Sequence, residues 1–169
     1  MIKKVRHVLI GALLCGVITG CSTVASTSVT SNNGYETYIN PGQAFKHTSF
    51  TNIDNKNISL DPNKKKLVLL FATWCSDSLR TLNELKASSI IRDPTVQIIA
   101  IGREQTRETL KEFNQSFALP FQLVADSDRT IYQQYANKGI PRLILLDNNN
   151  TVVKTLIGEQ ANIVDQVIW

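Results

Sequence analysis

Cys75 is the residue best placed to do chemistry, because of what precedes and follows it. In Leu69-Leu70-Phe71-Ala72-Thr73-Trp74-Cys75-Ser76-Asp77-Ser78, an apolar run gives way to a polar stretch that opens a helical pattern. A cysteine at such a strand-to-helix junction meets the unpaired N–H groups and positive dipole end of the helix. These favour an anion, and the thiolate is the nucleophilic form of cysteine. The position therefore suits thiol–disulfide exchange. The alternative, a buried inert cysteine, fits better inside an apolar run than beside Ser76, Asp77 and Ser78. Other cysteine chemistries lack partners. A cysteine protease needs a histidine base, and only His47, far upstream, is available. Cys75 and His47 alone do not make a copper site, and no metal site is expected. Asp126 and Asp128 have no third acidic neighbour and read as caps of a following helical segment.

The other two cysteines lie in a leader. Met1–His7 is basic, Val8–Thr19 is apolar but about half the roughly 20 residues that a membrane span requires, and small residues follow. Ile18-Thr19-Gly20-Cys21 resembles the bacterial lipobox. That resemblance implies cleavage before Cys21, acyl chains on that residue and a membrane anchor. Several acyl chains hold far more firmly than one, at about 0.8 kcal/mol per buried methylene. Ser22 follows where no Asp stands, which resembles outer-membrane sorting in a Gram-negative envelope. Residues 21–43 are rich in Ser, Thr and Asn without an apolar period and are expected to be a flexible tether. Only Cys75 then remains as a thiol, so no disulfide can staple the exported domain.

Composition narrows the class. The 169 residues are 43% hydrophobic and 19% charged, which fits one globular domain. Of the 18 Lys and Arg, three (Lys3, Lys4 and Arg6) belong to the leader, leaving 15 against 14 Asp and Glu. No nucleic-acid partner is expected from that balance. Lys64-Lys65-Lys66 is too short for a lipid headgroup site and reads as a solvated turn.

The elements that must position Cys75 alternate. Phe50–Leu60 reads as a hairpin, and Leu67–Ala72 and Val96–Ile101 as strands buried on both faces. Leu79, Leu82 and Leu85 predict a helix between them, and Thr106–Phe117 a second, with Leu110, Phe113 and Phe117 on one face. Phe121–Val124 is a third strand, followed by a helix with Ile131, Tyr132 and Tyr135 in the core. Leu143–Leu146 and Thr151–Leu156 form a strand hairpin around Asp147–Asn150, and Ile163, Val164, Val167 and Ile168 mark a last helix. The pattern predicts an α/β fold with a mixed central sheet and helices on both faces. About 125 residues bury enough surface for a core without staples.

From about Ala44 to Trp169 the chain resembles the thioredoxin-like superfamily, within it the membrane-tethered redoxins of the TlpA and ResA type. The resemblance rests on the leading hairpin, on Phe71-Ala72-Thr73-Trp74-Cys75, and on Gly139-Ile140-Pro141 about 65 residues later, ahead of Leu143–Asp147. It implies a thioredoxin-like domain over 44–169 with an N-terminal β-hairpin extension, behind a signal peptide at 1–20. It also implies a catalytic Trp74-Cys75 pair and a cis Ile140–Pro141 loop that binds substrate by offering its backbone to a partner peptide. The family's second active-site cysteine falls at Ser78 here, so a mixed disulfide on Cys75 must await an external thiol. Ser78 could still donate a hydrogen bond to Cys75. Asp77 would oppose a thiolate, and Arg142 would add positive charge if it turned inward. The peroxiredoxin pattern fails, because Ala72 and Val68 stand where its Thr and Pro belong.

Two functions fit. One is a lipid-anchored oxidoreductase of the cell envelope acting through Cys75 alone on cysteines of exported proteins, without a cofactor. The other is a redox-inactive binding module that uses the Trp74/Pro141 groove. The reactivity of Cys75 separates them.

Overall fold

The computed structural model describes residues 34–169, so the leader and Cys21 lie outside the described residues. Strand β1 (Ser49–Thr51) pairs antiparallel with β2 (Asn57–Ser59) as a separate hairpin. The central sheet comprises β3 (Lys65–Phe71), β4 (Val96–Arg103), β5 (Gln122–Asp126), β6 (Arg142–Leu146) and β7 (Val152–Ile157). Their spatial order is β5-β4-β3-β6-β7. β4 runs parallel to both β3 and β5, whereas β6 is antiparallel to β3 and β7. Leu67 lies opposite Ile98 on one side and Leu145 on the other, so β3 is the middle strand.

The continuous apolar run of β3 feeds two layers because successive side chains point to opposite faces. Leu67, Leu69 and Phe71 join α1 (Ser76–Ala87) and α2 (Arg107–Phe117) through Leu82, Leu85 and Leu110. Val68, Leu70 and Ala72 face Phe45, Phe50, Tyr132 and Tyr135. The predicted core residues Phe113 and Phe117 are partly buried and stack at 4.7 Å. On α1 the buried face is Ser78, Thr81, Leu82 and Leu85, while Leu79 is only half-buried. Spacings of three, four and seven residues set that stripe, and Leu79 falls beside it.

Four expectations are corrected. The segment 131–135 forms one 3₁₀ turn, Tyr132–Gln134, rather than an α-helix. Asp126 caps it as expected, accepting from the Ile131 N–H at 2.9 Å and the Tyr132 N–H at 2.8 Å. The chain then leaves helical geometry because the Tyr135 carbonyl accepts from Tyr38 N–H at 2.8 Å and Ala136 bridges Thr37. Ile163–Gln166 is likewise 3₁₀, entered through Asn162 in the left-handed region at φ 61°. Lys65 opens β3 and Lys66 is wholly buried, so neither belongs to a solvated turn. The Lys66 ammonium donates to the carbonyls of Asn148 at 2.9 Å and Asp147 at 3.3 Å.

The fourth concerns the tether. Residues 35–43 pack on the domain instead of floating. Ile39 is 2% exposed in the core, the Gly42 N–H donates to the Val152 carbonyl, and the Val152 N–H donates to the Gln43 carbonyl. A single buried isoleucine in a polar stretch leaves no period to detect.

His47 lies against Tyr135, its Nδ1 2.5 Å from the phenolic oxygen. Burial, aided by Lys46, lowers its pKa below 6.5 and outweighs the opposing pull of Asp126. Below that value the unfolded chain takes up a proton that the native imidazole resists, so stability falls with pH. Between about pH 7 and pH 5 the urea midpoint of the wild type therefore drops further than that of His47→Gln. Equal drops would refute a preferentially neutral His47.

Candidate functional site

The site forms where β3 ends. Ala72 is buried, and its carbonyl accepts from the Cys75 N–H at 3.2 Å to close the turn. The Thr73 N–H donates to Gln105 Oε1 at 3.0 Å, and Gln105 is itself 5% exposed. Trp74 is thrown outward, 62% exposed. Cys75 takes the N-cap position of α1 with extended backbone, and its carbonyl accepts from Leu79 N–H at 3.0 Å. Serine or aspartate in that position would cap with its own side chain. No side-chain cap is made here, which leaves the sulfur free to face outward.

It faces the loop before β6. Ile140–Pro141 is a cis peptide bond, and Cys75 Sγ lies 3.6 Å from the Ile140 carbonyl, toward which the thiol donates. Gly139 holds φ +86°, a conformation glycine adopts without a steric penalty, and a Cβ there would press on the Tyr35 ring at 3.1 Å. The structure thus sets Cys75 against the Ile140–Pro141 peptide, with Trp74 exposed one residue before the cysteine.

Ser78 sits differently. It is wholly buried on the first turn of α1, and its Oγ accepts the Ala72 N–H at 3.3 Å. That hydroxyl stabilises the end of β3 rather than bonding the sulfur. Asp77 pairs with Arg80, which also donates to the Gly158 carbonyl at 2.8 Å. The Asp77 carboxylate is therefore paired with a guanidinium. Arg142 does turn inward, 3% exposed, but its guanidinium donates to the loop backbone and to Thr37. Burial lowers its pKa, while Tyr132 and Glu159 favour the charged form. His47 engages Tyr135. Among the described residues no three His, Cys, Asp or Glu side chains gather to hold a metal.

Three contributors were not legible beforehand. Gln105 fixes the Thr73 amide from the loop that follows the neighbouring strand β4, and nothing in its sequence setting marks it. Tyr132, expected only as core, donates to the Gly139 carbonyl at 2.8 Å. Burial raises its pKa against the pull of Arg142 and Arg103, so it stays a donor. Gly158 lies against the proline: its N–H donates to the Pro141 carbonyl at 2.8 Å.

This fold and this cysteine–cis-proline pair define a thioredoxin-like domain. A family model described as Thioredoxin-like matches residues 63–152, and the chain belongs to that family. It is similar to thiol-disulfide oxidoreductase ResA of Bacillus thuringiensis (strain Al Hakam), 30% identical over 116 residues. That match covers 66% of this chain and 66% of the relative. ResA of Bacillus thuringiensis subsp. konkukian (strain 97-27) is 27% identical over 163 residues, covering 92% of this chain and 88% of that one. Among solved structures, StoA from Bacillus subtilis superposes with TM-score 0.57 at 20% identity, covering 70% of this chain and 91% of that one. The thioredoxin domain of a thiol-disulfide oxidoreductase from Bacteroides vulgatus gives TM-score 0.61 at 20% identity, covering 78% and 99%. The two superpositions bear on the fold.

Within that fold Gly158 is a steric condition of the site. A Cβ built on it would lie 2.5 Å from Pro141 Cγ and 3.3 Å from Thr81 Oγ1. Neither the proline ring nor the buried threonine can swing away. Gly158→Ala should cost about 1–3 kcal/mol, the usual range for overpacking. Urea unfolding measures it, and an unchanged midpoint would show that the loop yields freely.

Proposed function

We propose that the protein is a lipid-anchored thiol–disulfide oxidoreductase of the bacterial cell envelope that works through the single sulfur of Cys75. The observation that carries this reading is the half-exposed sulfur at the start of α1, facing the Ile140 carbonyl beside an exposed Trp74. An extended client segment can pair with the backbone at Ile140–Pro141 while its disulfide meets Cys75. Similarity to relatives named thiol-disulfide oxidoreductase supports the reaction class. The resemblance of Ile18–Cys21 to a lipobox supports an anchor on Cys21 and removal of residues 1–20, and in a Gram-negative envelope Ser22 supports the periplasmic face of the outer membrane.

The exchange needs two kinds of thiol. The Cys75 thiolate attacks one client sulfur, a new S–S bond forms, and the other client sulfur departs as thiolate with the electron pair. Ser78 offers no sulfur to break that mixed disulfide. An external thiolate attacks Cys75 Sγ and releases the second client sulfur, and a second donor thiolate then frees Cys75. The balance is one client disulfide and two donor thiols converted to a client dithiol and one donor disulfide.

Reaction of the folded chain with a model peptide disulfide near pH 7, with Cys75→Ser as the blank, tests this. The folded protein should react on the order of tenfold faster than the urea-unfolded chain. A rate no faster than that of the unfolded chain would sink the catalytic reading in favour of a redox-inactive binding module. Ser78→Cys adds a sulfur three residues on and should shorten the life of the mixed disulfide about tenfold or more, leaving Cys75 in a disulfide with the introduced sulfur. A mixed disulfide that persists as in the wild type would show that something other than the missing sulfur limits release.

A further inference from the structure

The four carbonyls of the loop are not treated alike. Lys138 O accepts from Arg142 Nη2 at 2.6 Å. Gly139 O accepts from the Tyr132 hydroxyl at 2.8 Å and from Arg142 Nε at 3.3 Å. Pro141 O accepts from the Gly158 N–H at 2.8 Å. The Ile140 carbonyl alone is turned to the Cys75 sulfur, at 3.6 Å. Three neighbours are thus held from behind, and the fourth is presented to the thiol.

Arg142 supplies two of those holds from one side chain. Its backbone is fixed between Leu70 of β3 and Ile157 of β7, so the guanidinium folds back from a rigid base. The third arm, Nη1, donates to Thr37 Oγ1 at 2.6 Å and fastens the N-terminal segment to the same loop. That segment is pinned further by the Asn137 side chain, which accepts from Glu36 N–H at 2.8 Å and donates to Gly34 O at 3.1 Å. A guanidinium this deeply buried is costly unless its donors are used. Among the described residues no carboxylate lies within ion-pair distance of it; its partners are two carbonyls and the hydroxyls of Thr37 and Tyr132. Tyr132, the second holder, is packed under the guanidinium of Arg103 at 4.7 Å and that of Arg129 at 5.6 Å. Glu104 joins those two arginines at 3.3 and 3.6 Å, so the ring bearing the hydroxyl cannot drift.

We infer that Arg142 is a positioning residue for disulfide exchange: its three-armed fork holds the Lys138 and Gly139 carbonyls and Thr37, and so sets the Ile140 carbonyl against Cys75. The inference rests on the exchange function proposed above. The fork is what matters, not the charge. A lysine ammonium is a point donor on a flexible stem and cannot reproduce three fixed N–H directions. Arg142 does not touch the reacting sulfur. It acts through the loop, so reactions that need the loop as a template depend on it, and reactions that need only an open thiol do not.

The test uses the full chain and two variants, Arg142→Lys and Arg142→Met, with Cys75→Ser as the blank. Exchange with a model peptide disulfide should slow on the order of 10- to 100-fold in both, as expected when a reacting geometry is misplaced. Alkylation of the same sulfur by iodoacetamide should change by less than about threefold, since exposure of the thiol is retained. Hydrogen exchange at the Gly158 amide, which donates to the Pro141 carbonyl of the same loop, should rise about tenfold while the β3 and β4 amides stay protected. Full retention of peptide exchange in Arg142→Lys would overturn the fork in favour of charge alone. Equal loss of exchange and alkylation would reduce the residue to a general structural role. Should Arg142→Met fail to fold, Thr37→Val removes one acceptor outside the core and is expected to move the same readouts in the same direction. A wild-type Cys75 inert toward the peptide would end the exchange reading, and the amide measurement would still decide the brace. Unchanged protection of the Gly158 amide in Arg142→Lys overturns it.

Discussion

From Lys66 to Phe71 every residue of β3 is withdrawn from solvent, so each of its amides and carbonyls must find a partner on a neighbouring strand. β4 on one side and β6 on the other meet that demand, and their registers follow from it. Cys75 depends on the same constraint at one remove. The chain emerges from β3 at a fixed point, turns through Thr73 and Trp74, and starts α1 with the cysteine as cap. β6 is paired with the same strand, so the loop that enters β6 arrives at the same end of the sheet. The sulfur and the Ile140 carbonyl meet because two elements share one middle strand, although they lie 65 residues apart in sequence.

Polar groups then finish what apolar burial begins. Packing sets the sheet, but it does not orient a loop to within the reach of a sulfur contact. That is done by buried donors and acceptors: Gln105 for the Thr73 amide, Ser78 for the Ala72 amide, and Tyr132, Arg142 and Gly158 for the carbonyls around the cis peptide. Each partners a group that would otherwise lack water, and a buried unpaired polar group is costly. The hydroxyl of Ser78 has a structural role here. A hydroxyl is a better hydrogen-bond acceptor than a thiol, and it is used to hold the strand end.

The legible part of the sequence was the part written in apolar pattern. β3, β4, α2 and the β6–β7 hairpin follow from runs and periods, and the Trp74-Cys75 and Gly139-Ile140-Pro141 signatures marked both halves of the site. What escaped was written in single polar or small residues. Gln105 acts through one hydrogen bond and Gly158 through its backbone and its missing side chain, and no period announces either. Arg142 could be flagged for charge but not for the direction its fork would take. The stretch 35–43 read as a tether because Ile39 is its one buried apolar residue and the rest of its attachment is polar and ring contacts to the backbone and side chains of residues 135–159. The short 3₁₀ turns at Tyr132–Gln134 and Ile163–Gln166 carried helical spacing, yet neither continues beyond about one turn.

The attachment of residues 34–38 changes how the proposed anchor and the site relate. A free tether would leave the domain indifferent to what lies upstream. Here Gly34, Glu36, Thr37 and Tyr38 bond to Asn137, Arg142 and Tyr135, all within a few residues of the cis peptide. The Tyr35 ring packs against Gly139, and its hydroxyl bonds Glu159, the residue after Gly158. The segment that would lead to Cys21 therefore borders the groove where a client would lie. In the proposed exchange an anchored domain thus presents its sulfur from a fixed frame. Residues 34–38 are part of that frame, and the exposed Trp74 is the flank of the thiol that the proposed exchange leaves for a client disulfide.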